Sequence, residues 1–148
     1  MLDQSFYQQL DTFYAAGDAA GAEAFLVAKR NVAEMEENQQ DLATIYNELM
    51  GHYRTAGNWA ECERAMKGLL RAIRALHLKR GLEWATFTLN IANAQRAMGM
   101  LTEAERNFLM VRDEYEAELE PNDYRLASLY NNLGLTYRAK GQVSIARS

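Results

Sequence analysis

Ala127-Ser128-Leu129-Tyr130-Asn131-Asn132-Leu133-Gly134-Leu135-Thr136-Tyr137-Arg138-Ala139-Lys140-Gly141 decides the fold, because the same pattern is written twice more upstream. Ala85 to Gly99 is one copy and Ala43 to Gly57 the other, at a constant spacing of 42 residues. Counting from each alanine, position 4 reads Tyr46, Thr88, Tyr130, and position 7 reads Leu49, Ile91, Leu133. Position 8 is Met50, Ala92, Gly134; position 11 is Tyr53, Gln95, Tyr137; position 15 is Gly57, Gly99, Gly141. At roughly 100° per residue, positions 4, 7, 8 and 11 fall on one face of a helix. A glycine then closes it, since Gly accepts the left-handed conformation at a helix C-terminus.

A second helix follows each glycine. Asn58 with Glu61 resembles a capping box. Position 20 is small, at Cys62, Ala104 and Ala146, which predicts a close helix crossing there; Met66 and Phe108 at position 24 are large enough to fill the groove beside it. Trp59 is expected under the hairpin turn, and Trp84 just before a helix. A weaker copy precedes these, with Gly17, Phe6, Leu10, Phe13, Ala22 and Leu26 near the core offsets and Gln9 where Leu is expected. The tract Glu34–Asp41 reads as a linker. Such hairpins bury their apolar faces only against neighbours, the signature of a stacked-repeat chain.

The pattern resembles the tetratricopeptide repeat family, with an aromatic at position 4, Leu at 7, a small residue at 8, Tyr at 11, Ala at 20 and Phe at 24. The last copy fits best, through Tyr130, Leu133, Gly134, Tyr137, Gly141 and Ala146; the middle copy departs at Gln95. The 42-residue unit is longer than that family's usual one and is similar to the kinesin light chain subgroup and related bacterial proteins. The extra residues extend the second helix and its exit, as in Glu116–Asp123 with Pro121. The resemblance implies an all-α, right-handed solenoid of antiparallel helical hairpins. Residues 1–148 are then one repeat domain, divided into a degenerate repeat over 3–37 and repeats over 42–80, 84–120 and 123–148. The last is cut a few residues into its second helix, as expected of a piece of a longer protein. Its uncovered hairpin is expected to be the least stable part, or to associate with another copy of the chain.

Composition agrees with helices and excludes several functions. The chain has 148 residues, 49% hydrophobic and 24% charged, with one proline. Its net charge is −4 and its pI about 5.2, which argues against nucleic acid, whose backbone favours a basic surface. No run approaches 18 uncharged apolar residues, so no membrane span is expected, and the start lacks a signal-peptide pattern. Cys62 is the only cysteine, which points to a reducing, cytoplasmic setting and to a buried packing thiol. His52 and His77 lie in no metal motif, and His77 reads as a solvated helix end. No phosphate loop or nucleophile motif is present, so neither an enzyme nor a cofactor is expected.

The polar columns beside the apolar face carry the functional expectation. The family resemblance implies that positions 2, 5, 9 and 12 line a concave groove. Position 2 is Thr44, Thr86, Ser128, a column of hydroxyls. Position 5 is Asn47, Leu89, Asn131, and position 9 is Gly51, Asn93, Leu135. Position 12 is arginine each time, Arg54, Arg96, Arg138, and position 6 at the edge is Glu48, Asn90, Asn132. Arg donates bidentate hydrogen bonds to carboxylates, and Asn both donates to and accepts from peptide backbone. The expected partner is a protein or peptide segment bearing acidic residues, gripped without catalysis. The alternative is a peptide-sensing module of a larger bacterial regulator.

Overall fold

The computed structural model describes residues 2–147, with side chains for residues 2–143. Seven helices follow one another: α1 (Gln4–Ala15), α2 (Ala19–Met35), α3 (Gln39–Ala56), α4 (Trp59–Ala75), α5 (Leu82–Ala97), α6 (Leu101–Glu118) and α7 (Tyr124–Arg147). Among the described residues there is no strand, and no helix is long and apolar enough to cross a membrane. The chain divides into two compact units, Met1–Leu78 and Lys79–Ser148.

Local chemistry sets most helix starts. The side chains of Asp3, Asp18, Asn38 and Asn58 cap α1 to α4 by accepting from the backbone N–H of Ser5, Gly21, Asp41 and Glu61 respectively. The Asp123 carboxylate does the same for Arg125 at the start of α7. Its second oxygen accepts from the Arg125 guanidinium at 2.8 Å, and these hydrogen bonds hold the carboxyl down at about 2. Helices α5 and α6 start without a side-chain cap. Gly17, Gly57 and Gly99 take φ of 69°, 72° and 80° and turn the chain into α2, α4 and α6.

Gly141 was expected to make a fourth such turn, and it does not: α7 runs straight through it to Arg147. A glycine inside a helix costs only about 1 kcal/mol, so it permits a turn without forcing one. What holds the turn at Gly99 is α6, which lays buried Ala104, Phe108, Val111 and Tyr115 against α5. Ala146 lies outside the residues whose side chains are described. The expected linker Glu34–Asp41 is likewise shorter than read, since α2 continues to Met35 and α3 opens at Gln39.

In the first unit the core joins Phe6 and Leu10 to Ala22 and Leu26, and these to Ile45, Leu49, Met50, Cys62 and Leu69, all buried. Full burial of each large apolar side chain stabilises by roughly 1.5–3 kcal/mol. The Cys62 thiol sits near the Met50 carbonyl, and burial pushes its pKa up, so it packs rather than reacts. A further close approach of α3 and α4 lies at Gly68, where an added Cβ would come within 2.5 Å of the Tyr46 ring. Trp59, expected to be covered, is 45% exposed at the start of α4.

In the second unit Ala85, Ala92, Ala104, Phe108, Val111, Tyr115, Leu126, Leu129 and Leu133 form one cluster. Gln95 is buried where an aromatic was expected, and its Oε1 accepts from Asn107 Nδ2 at 2.8 Å. Trp84 lies inside the first turn of α5, with the Arg80 guanidinium 4.6 Å from its ring. In α7 the expected face is only partly used: Leu133 is buried, but Tyr130 and Tyr137 are 46% and 48% exposed. Within its unit α7 packs on α6 and α5 through Leu126, Leu129, Leu133 and Thr136, which occupies a narrower stripe of the helix.

Gly68→Ala should destabilise the first unit by about 1–3 kcal/mol, because the Tyr46 ring must move for the new methyl to fit. Thermal melting checks this, and an unchanged melting temperature would place the close approach elsewhere.

Candidate functional site

The polar columns come out differently on the three helices that carry them. On α3, Thr44, Asn47, Glu48, Gly51 and Arg54 are all half-buried and lie on neighbouring turns of one flank. Glu48, Gly51 and Arg54 open onto a cleft of about 500 Å³ that Tyr14 and His52 also line. Tyr14 Oη lies 2.8 Å from His52 Nδ1, which ties α1 to α3 at this edge. Arg54 is in no ion pair among the described residues. Glu48 shares the cleft, so its charge is mixed rather than purely cationic. Burial, and secondarily the Asp11 carboxylate, raises the Glu48 pKa above its ordinary value of 4.5.

On α5, Asn90, Asn93 and Arg96 are half-buried, and Thr86 is exposed. Two of their atoms stand out. Asn93 Oδ1 and Arg96 Nε are both covered, and neither meets a hydrogen-bond partner. A covered donor or acceptor left unpaired costs about 1–3 kcal/mol. They sit three residues apart on one helix face, an acceptor beside a donor. Sequence spacing alone could place the pair on a face but could not show it unpaired.

On α7, Ser128, Asn131 and Arg138 are exposed and Asn132 is half-buried, with its carbonyl accepting from Thr136 Oγ1 at 2.8 Å. The hydroxyl column is also less free than its sequence suggests. Thr86 Oγ1 donates to the Leu82 carbonyl at 2.9 Å and Thr44 Oγ1 to that of Gln40 at 3.4 Å, the usual back-bonding of helical threonine. Arg54 belongs to the first unit, and Arg96 and Arg138 to the second. Sequence reading missed Tyr14 and His52 at the α3 cleft; they are 38 positions apart and carry no local signal. Among the described residues no group of three or more His, Cys, Asp or Glu is placed to hold a metal ion.

Because the folded protein raises the Glu48 pKa, the folded state binds its proton more tightly than the unfolded chain does. Stability should therefore fall as pH rises from the ordinary 4.5 through the folded value. Glu48→Gln should flatten that part of the stability profile and melt higher than the parent at neutral pH. Melting temperatures of both proteins across pH 4–8 test this; parallel profiles would mean that Glu48 is fully solvated.

No curated protein is significantly similar to the chain in sequence. Residues 83–148, which span α5, α6 and α7, match the family model of the tetratricopeptide repeat, and the all-α helical-repeat fold described above is of that kind.

Proposed function

We propose that this chain is a non-catalytic scaffold that grips protein or peptide segments on the polar flanks of its helices, that of α3 in the first unit and those of α5 and α7 in the second. Tetratricopeptide repeats commonly mediate protein–protein interaction, and the family is generally non-catalytic. The observation that carries the reading is the unpaired couple on α5, Asn93 Oδ1 and Arg96 Nε. The backbone of a docked segment has what both lack. One residue of an extended segment presents its N–H and C=O to the same side, so the N–H donates to Asn93 Oδ1 and the C=O accepts from Arg96 Nε once the two side chains turn outward to meet it. The recurrence of arginine at Arg54, Arg96 and Arg138 supports a preference for acidic segments. Within each unit the hydroxyls and amides on the same flanks support the reading: Thr44 and Asn47 on α3, Thr86 and Asn90 on α5, and Ser128, Asn131 and Asn132 on α7. The 42-residue spacing supports a long-unit repeat of the kinesin light chain kind. The exposed Tyr130, Leu135 and Tyr137 of α7 support association through that helix as a secondary role.

A panel of fluorescent peptides, acidic, neutral and basic, tests the reading by anisotropy. Acidic peptides should bind best and weaken as salt rises. Arg96→Ala should weaken binding by about tenfold or more, the loss expected of a charge-assisted hydrogen bond. Arg54→Ala and Arg138→Ala should cost less. Asn93→Leu should lower affinity while raising the melting temperature, because it removes an unpaired acceptor. If all the arginine variants bind as the parent does, the chain grips through another face.

A further inference from the structure

The first unit has a second cleft, bounded by α2 and α4, which the polar columns of α3, α5 and α7 do not line. Its volume is about 240 Å³. Arg30 of α2 and Arg64, Lys67 and Arg71 of α4 line it, with Tyr46 and Tyr53 of α3 beneath. Four basic side chains thus face one carboxylate, Glu61, in a chain whose net charge is −4. The three on α4 follow each other at three and four residues, so they share one side of that helix. Arg30 and Arg71 lie 41 residues apart, close to the repeat spacing.

The nearby carboxylates are already occupied in part. Arg64 pairs with Glu61, and Lys67 with Glu63 at 3.2 Å. The Tyr46 hydroxyl donates to Glu34 Oε1 at 2.6 Å, and the Tyr53 hydroxyl is bonded to Glu23. Arg30 and Arg71 are left in no ion pair among the described residues; Arg30 donates only to the neutral Asn31 amide, at 3.3 Å. Both guanidiniums act on the Tyr46 hydroxyl, so their fields converge on the cleft.

We propose that this cleft is an anion site that takes the dianionic head of a phosphate monoester. Two unpaired guanidiniums match a group carrying about two negative charges, with oxygen acceptors suited to their forked donors. A single carboxylate would leave one of them uncompensated. The half-open cleft has room for one compact tetrahedral group, and Leu49 and Ala65 in its lining offer an apolar patch for the ester carbon. The phosphate can belong to a free metabolite or to a phosphorylated side chain, and the chemistry read by the cleft is the same.

Calorimetric titration of the full chain tests this with methyl phosphate, methyl sulfate and a short phosphoserine peptide at pH 7.5. Methyl sulfate has the same shape with half the charge. Methyl phosphate or the phosphopeptide should bind, and methyl sulfate at least about tenfold more weakly. Arg30→Gln and Arg71→Gln should each weaken phosphate binding about tenfold or more. Arg74→Gln, one turn beyond the cleft and exposed, should leave it unchanged. Melting curves verify that each variant is folded, and Arg71 is exposed enough for its replacement to be tolerated. Tighter binding of the peptide assigns the site to phosphorylated protein, and tighter binding of methyl phosphate to a free ester. No binding of either, equal binding of methyl sulfate, or equal loss in the Arg74→Gln control would overturn the proposal.

Discussion

The Tyr46 ring lies against Gly68 with no room between them for a methyl group. Much of the first unit hangs on that contact. Gly68 lets α4 approach α3 closely enough for Cys62, Met66 and Leu69 to bury beside Leu49 and Met50. The ring's far end then reaches α2, where its hydroxyl donates to Glu34. One side chain thus spans three helices. It fixes the floor of the α2–α4 cleft as it fills the core. The price of using glycine here is a weaker helix by about 1 kcal/mol, which the packing it permits exceeds.

The repeat was legible because its marks are geometric. A small residue at a crossing, an apolar residue every three or four positions and a left-handed glycine leave the same trace in every copy. Leu49, Ile91 and Leu133 are buried alike, as are Cys62 and Ala104. The misreadings fall where a mark was necessary but not sufficient. Gly141 has the residue for a turn but lies inside α7, because glycine permits the left-handed conformation without requiring it. Tyr130 and Tyr137 have the offsets of core residues, yet α7 packs within its unit on α6 and α5 alone, and a helix packed along one stripe leaves its flanks exposed. Gln95 shows the converse. It breaks the apolar pattern and is still buried, because Asn107 on α6 supplies the hydrogen bond that burial demands.

The candidate sites were legible only in residue type. Periodicity shows that Arg54, Arg96 and Arg138 share an offset, and says nothing of what stands beside each. Glu48 beside Arg54 and the unpaired Nε of Arg96 make the first two unlike, though their spacing is regular. The α2–α4 cleft was harder still to find. Arg64, Lys67 and Arg71 read as an ordinary solvated stripe until Arg30, from a different hairpin, is placed opposite. A charge stripe becomes a site only when a second element closes it and the local carboxylates are already engaged elsewhere.

The two sites differ in what they ask of a ligand. On α5 the unpaired atoms are a neutral acceptor, Asn93 Oδ1, and a donor on a cationic guanidinium, Arg96 Nε, a combination suited to peptide backbone with acidic groups nearby. In the α2–α4 cleft the unpaired groups are donors only, with full charge, and they suit a compact anion. Asn93 brings only a neutral acceptor, worth about half a charged one, so the α5 flank needs further contacts beside that of Arg96 to hold a segment. The cleft needs one. The difference follows from where each lies: Asn93 and Arg96 sit on one flank of a single helix, whereas the cleft gathers its charge from two helices, with Arg30 on α2 facing Arg64, Lys67 and Arg71 on α4.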